Sequence, residues 1–364
     1  MRQMRRTSAL VAAVLIAAAS GAQPADPAAP PVEPAPGPAS AQNNAMEGEI
    51  TPELDRAVTR GLAALARTQN EDGSFGDGRW GRSVAITALT CLAFMADGNL
   101  PGRGAYGEQV SRGLDFVLAN CSESGLIAAE AANGPMYGHG FATLFLGEIY
   151  GMTAGDGDAE RSARIHNALL KAVRLIQTTQ NDQGGWRYNP VPTDADVSVT
   201  ICQIMGLRAA RNAGLEVARE TIDKAVEYVR KCQNPDGGFK YQLDTGPSAW
   251  PRSAAGVASL YYAGIYQDDA IDRGLKYLQE AALPGRANPN KAHYFYGHYY
   301  AVQAMYLAGG PAWEAWWPAI REELVQAQQP DGLWDDPTVG ESYGTAMSLI
   351  ILQMPKRYLP IFQK

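Results

Sequence analysis

Six residues recur at one place in an internal repeat. Ser83, His139, Asp196, Arg252, His298 and Ser342 each stand four residues before Thr87, Thr143, Thr200, Gly256, Val302 and Ala346, respectively. Four residues is about one helical turn, so on six helices these side chains face one way and form a polar ring at one end of a cavity. Packed helices lie about 8–10 Å apart, which puts opposite members of such a ring roughly 16–20 Å apart. His139 and His298 are three units apart and cannot share a metal ion, so neither a metal nor another cofactor is expected. Asp196 can meet Arg252 or His139, and an acid flanked by cations stays ionised, which suits an anion-tolerant rim better than a strong general acid. Trp80, Tyr137, Trp186, Trp250, Tyr294, Tyr296, Tyr299 and Tyr343 fall just before or within the same segments. Apolar walls carrying a few polar groups are where small ligands bind. Ser83, Asp194, Asp196 and Ser342 also suit helix N-caps. If the site does chemistry, Asp194 and Asp196 are the candidate catalytic carboxyls. Cleavage of a glycoside needs two carboxyls about 5–10 Å apart, and Asp196 with Glu341, three units away, makes a poor pair.

The elements that position these residues come from the repeat. Gln69-Asn70-Glu71-Asp72-Gly73-Ser74-Phe75 returns as Gln180 to Trp186, Gln233 to Phe239 and Gln328 to Trp334, at intervals of 111, 53 and 95 residues. A unit near 50 residues places degenerate copies at Cys121 to Ile127 and Gln279 to Gly285, giving six units. A helix with apolar three-and-four spacing precedes each turn, as in Asp55 to Thr68, Ile222 to Cys232 and Ile271 to Gln279. Asp-Gly and Gly-Gly stop that helix and reverse the chain. A second, more apolar helix follows over Val84 to Met95, Phe141 to Tyr150, Val197 to Ala210, Ala254 to Ile265, Tyr299 to Leu307 and Thr345 to Gln353. A helix apolar nearly all round is buried, so the second of each pair belongs inside and the first outside. The expected fold is all-α, a toroid of six helical hairpins. The turn Gln bonds backbone at the helix ends, and the aromatic packs between hairpins.

With 364 residues, 46% hydrophobic and 19% charged, the chain can bury a large core. A net charge of −7 with no basic block argues against nucleic-acid binding. Arg2, Arg5 and Arg6 precede an apolar run from Ala9 to Ala19 and the small residues Ser20-Gly21-Ala22, the order of a secretory signal over 1–22. Its removal takes the charge from −7 to −10 and leaves no expected membrane span. Residues 23–50 are a Pro- and Ala-rich spacer, and 51–364 the repeat domain. Cys91, Cys121, Cys202 and Cys232 read first as buried thiols, with one bridge left open. The expected setting is therefore the cell envelope or beyond.

The Gln-x-x-Asp-Gly-x-aromatic turns, each followed by an inner helix such as Arg82 to Leu89, resemble the prenyltransferase and squalene-cyclase repeat superfamily. Met136-Tyr137-Gly138-His139-Gly140 and Tyr294-Phe295-Tyr296-Gly297-His298-Tyr299-Tyr300 are similar to segments of exported bacterial squalene-cyclase-like proteins. The resemblance implies the α/α toroid of prenyltransferase β subunits and triterpene cyclases. Those cyclases protonate their substrate from an Asp-x-Asp-Asp motif; Asp194-Ala195-Asp196-Val197 matches its first two acids and lacks the third. The zinc set of prenyltransferases and the Gly-Cys-Gly-Glu-Gln of thioester domains are missing. Three readings follow: a toroid that binds an apolar or isoprenoid-like molecule or a partner segment, a terpene cyclase-like or carbohydrate-active enzyme using Asp194 and Asp196, and a structural envelope protein that binds other proteins.

Overall fold

The computed structural model describes residues 48–129, 134–244, 246–285 and 292–363. The proposed signal and nearly all of the spacer lie outside the described residues. Among the described residues, twelve α-helices form six hairpins: α1 (Pro52–Ala66) and α2 (Val84–Ala96), α3 (Gly107–Ala119) and α4 (Met136–Met152), α5 (Ala159–Thr178) and α6 (Val197–Asn212), α7 (Arg219–Lys231) and α8 (Trp250–Tyr262), α9 (Asp269–Ala282) and α10 (Tyr294–Ala308), α11 (Gly310–Ala327) and α12 (Glu341–Leu352). No β-strand occurs among the described residues, only isolated bridges.

The even-numbered helices are the inner ring. Every residue of α2 except Ala85 is buried, whereas α7 buries one stripe of Thr221, Ala225, Val226, Tyr228 and Val229. Each inner helix packs on the next, and α12 packs back on α2, so the ring closes. The turn glutamine stitches neighbours together. Gln180 Nε2 donates to Gly184 O within its own turn and to Thr221 O of the next outer helix, both at 2.8 Å. Gln69 and Gln233 make the same pair of bonds. Gln328 reaches Ala57 O at 2.9 Å and so joins the last unit to the first. Gly184 of this turn has φ +98°, and a Cβ there would overlap Lys224 O of the neighbouring helix, so glycine is required twice over.

One end of the ring is sealed. After α12 the chain runs through short turns at Met354–Lys356 and Pro360–Phe362. Lys356 Nζ lies 2.5 Å from Asp97 Oδ1, just past α2. Ile361 N donates to Glu148 Oε2 on α4 at 3.0 Å, and Pro360–Phe362 packs on α6, which stands opposite α12 in the ring. Leu359, Ile361 and Phe362 are buried beneath the inner helices. The N-terminal ends of the inner helices form the other end, the mouth.

Four inner helices start earlier than their apolar runs suggest. The α4, α8, α10 and α12 helices begin at Met136, Trp250, Tyr294 and Glu341, four or five residues before Phe141, Ala254, Tyr299 and Thr345. Their first turns carry aromatic and polar side chains, so the periodicity of the buried stretch does not mark them.

Candidate functional site

Those early starts break the six-residue ring. Only Ser83 and Asp196 are N-caps, accepting from Ile86 N at 3.3 Å and Val199 N at 2.9 Å. His139, Arg252, His298 and Ser342 lie inside their helices. A different periodicity emerges. The backbone N–H of each turn aromatic, or of its substitute Ile127, is taken by one side chain of the inner helix: Phe75 by Thr87, Ile127 by His139 Nδ1, Trp186 by Thr200, Phe239 by Ser253 and Trp334 by Thr345, at 2.8–3.2 Å. His139 is thus the counterpart of Thr87 and Thr200. It is fully buried, which lowers its pKa to about 4. His298 is also buried, boxed by Trp250 at 4.8 Å, Tyr294 at 4.4 Å and Trp316 at 5.7 Å between ring centroids, and burial lowers its pKa to about 3. Neither imidazole lines the central cavity. The side chain of Ser342 is buried, and its N–H donates to Asp77 Oδ2 at 2.8 Å.

The cavity itself has a volume of about 620 Å³ and sits at the mouth. All six inner helices contribute residues from their N-terminal ends to its wall: the N-cap Ser83 with Ala85 and Leu89 of α2, Tyr137, Gly138 and Phe141 of α4, Ser198 of α6, Arg252 of α8, Tyr296 of α10 and Tyr343 of α12. Trp80, the loop residues Arg187, Tyr188, Tyr241 and Asp336, and His293 just before α10 also line it. Of the aromatics expected at the site, Trp80, Tyr137, Tyr296 and Tyr343 line the cavity. Trp186, Trp250 and Tyr299 are buried in the core behind the wall, with Trp186 Nε1 donating to Ile176 O at 2.8 Å.

Asp196 is fully buried behind that wall. Its Oδ2 accepts from Tyr241 Oη at 3.2 Å, and Arg187 Nε lies 3.7 Å away. Tyr241 is in turn bonded to Tyr188. Arg252 does not meet Asp196; it donates to Phe239 O at 2.9 Å and Pro247 O at 2.5 Å. Nor does the expectation of a firmly ionised acid hold. Burial outweighs the Val199 N–H, Tyr241 and Arg187, and raises Asp196 to about 6. Asp194, by contrast, is half exposed and pairs with Arg187, which holds its carboxyl below the usual range. Burial raises the phenols of Tyr137, Tyr241, Tyr296 and Tyr343, so they stay protonated. It also pushes the Cys202 thiol up to about 12. All four cysteines are free.

Sequence reasoning passed over Arg187, Tyr188, Tyr241 and Asp336, although the repeat marks three of them. Two residues past the turn aromatic, or past its substitute Ile127, come Asp77, Ala129, Tyr188, Tyr241 and Asp336, and all but Asp77 line the cavity.

The squalene-hopene cyclase C-terminal domain matches residues 160–287, which hold Arg187, Asp196, Tyr241 and Arg252. The type II terpene cyclase MstE from Scytonema superposes with a TM-score of 0.56 at 14% identity, covering 85% of this chain and 100% of that one. Residues 160–287 are thus similar to the cyclase C-terminal domain, and the chain shares the α/α-toroid fold of the type II terpene cyclase. Drimenyl diphosphate synthase from Streptomyces showdoensis is 27% identical over 194 residues, 52% of this chain and 33% of that protein. The chain thus spans about a third of that relative's length. The toroid architecture is shared more widely. An α-1,6-mannanase variant of Salegentibacter sp. HEL1_6 superposes with a TM-score of 0.62 at 8% identity, over 84% of this chain and 99% of that one.

Proposed function

We propose that this toroid is a receptor for an apolar, isoprenoid-type molecule, which it holds in the cavity at its mouth without turnover. The observation that carries this reading is the wall. Six inner helices present aromatic and aliphatic faces around about 620 Å³, within the roughly 300–1,000 Å³ usual for small-molecule sites. Its acids are engaged by the protein itself, including Asp336, which lines the cavity. Asp196 is sealed behind Tyr241, and Asp336 accepts from Thr338 N and Val339 N at 2.9 Å. Glu341, the other carboxyl considered for glycoside cleavage, is absent from the lining. Residues 1–22 then act as an export signal and 23–50 as a tether, so the receptor works outside the cytoplasm. No helix among the described residues is long and apolar enough to cross a membrane.

A second reading has one observation in its favour. Asp196 carries a proton up to about pH 6, and the Tyr241 hydroxyl links it to the cavity. A cyclase-like reaction would draw its proton through that phenol, so it would fail in Tyr241→Phe and weaken above pH 6.

Native mass spectrometry with farnesol and geranylgeraniol tests the receptor reading. One bound molecule per chain is expected. Gly138→Leu should remove it, because the nearest neighbours of a Cβ at Gly138 lie 3.6–3.8 Å away and a longer side chain fills the cavity. No binding, or equal binding by Gly138→Leu, overturns it. Product formation from either compound would move the assignment to the cyclase reading.

A further inference from the structure

We propose that the ligand of this cavity is an amphiphile whose anionic head, a carboxylate or a phosphate ester, is held by Arg252. This rests on the receptor reading and adds the chemistry of the polar end. The two arginines on the wall differ in one respect. Arg187 is neutralised by Asp194, with Asp196 close behind. Arg252 is half-buried in the first turn of α8 and pairs with no carboxylate among the described residues. Its two bonds go to neutral carbonyls, Phe239 O through Nε and Pro247 O through one terminal nitrogen. The titratable groups that face it, Tyr241 on the loop before α8 and Tyr277 on α9, are phenols that burial keeps protonated. Desolvation disfavours the charge of Arg252, and no counter-ion offsets it.

A cation that is partly withdrawn from water and unpaired destabilises the empty site. An anionic head would relieve that cost through the second terminal nitrogen, in a charge-assisted bond about twice as strong as a neutral one. The geometry is prepared in advance, because the two carbonyls fix the plane of the guanidinium before any ligand arrives. Apart from Arg187, Asp336, His293 and a few hydroxyls, the remaining wall is apolar and aromatic, so most of the rest of the molecule is hydrocarbon. The whole chain carries −7, so attraction for the head is local and falls with added salt.

The test compares dissociation constants for farnesol, farnesoic acid and farnesyl phosphate. At least one anion should bind about tenfold more tightly than the alcohol, and the tighter anion identifies the head. In Arg252→Gln the ratio of alcohol to anion constants should fall to about one, and Arg252→Lys should keep part of it. Equal binding of alcohol and anions by the unaltered protein overturns the proposal. So does an Arg252→Gln that weakens all three by one factor, which marks a residue holding only its own loop. If none of the three binds, the receptor reading fails with it, and that outcome is distinct from a receptor indifferent to charge.

Discussion

Asp196 at the mouth and Glu148 near the floor are buried carboxyls on the neighbouring inner helices α6 and α4, yet their surroundings differ. Asp196 has the Val199 N–H, the Tyr241 hydroxyl and, at 3.7 Å, Arg187 Nε. Glu148 has one donor, the N–H of Ile361, to Oε2. Burial therefore raises Asp196 to about 6 and Glu148 to about 8. The more polar surroundings are at the end that stays open to a ligand, and the poorer ones lie where the C-terminal segment closes the ring. A shared repeat thus has two unlike ends, one that holds the cavity and one that the C-terminal segment closes.

Removing residues 354–364 should break the comparison most severely. Leu359, Ile361 and Phe362 lose their burial, at roughly 1.5–3 kcal/mol each, and Glu148 meets water. A denaturant titration should show a loss of about 5 kcal/mol or more. A loss no greater than that of a surface deletion would mean the segment does not hold the ring.

Next in size is Glu148→Gln. Between pH 4.5 and 8 the unfolded chain releases this proton while the folded chain keeps it, so wild-type stability falls as pH rises through that window. The variant should lose this slope and gain a few kcal/mol relative to wild type at pH 8. Asp196→Asn should do the same over a narrower window, pH 3.8 to 6, with a smaller effect because the shift is smaller. His139 and His298 act in the opposite sense, since the folded state resists their protonation, and stability falls as pH drops from 6.5 toward 4 and 3. The slopes are therefore read as differences from wild type. Asp194→Asn should change least. It removes a surface pair worth about 0–1 kcal/mol, and a larger loss would show that Arg187 depends on it to brace the mouth.

The scaffold was legible in sequence because its residues repeat for one reason. A glutamine that must reach two carbonyls and a glycine pressed against the next helix leave little choice, so Gln180 and Gly184 announce themselves. The inner helices were legible through continuous apolar runs. The mouth was legible only in part. Tyr137, Tyr296, Ser83 and Arg252 were placed on the wall, while His139 and His298 were misread. Their helices begin with aromatic and polar turns, which shifts the register and sends both imidazoles into the core. Arg187 and Tyr241 escaped notice because they sit on loops, where apolar periodicity carries no information. Glu148 escaped because it is buried in a helix whose neighbours are all apolar, and its partner is a backbone N–H more than two hundred residues away.

On the proposed function the toroid meets its ligand at the mouth, and not at the floor or the outer surface. A crystal structure of the chain with farnesol or its anionic counterparts tests it most directly. Continuous ligand density is expected among Tyr137, Phe141, Tyr296 and Tyr343, with any anionic head beside Arg252 and the floor segment unmoved. Ligand density confined to the outer helices, or reached only by displacing residues 354–362, would contradict it.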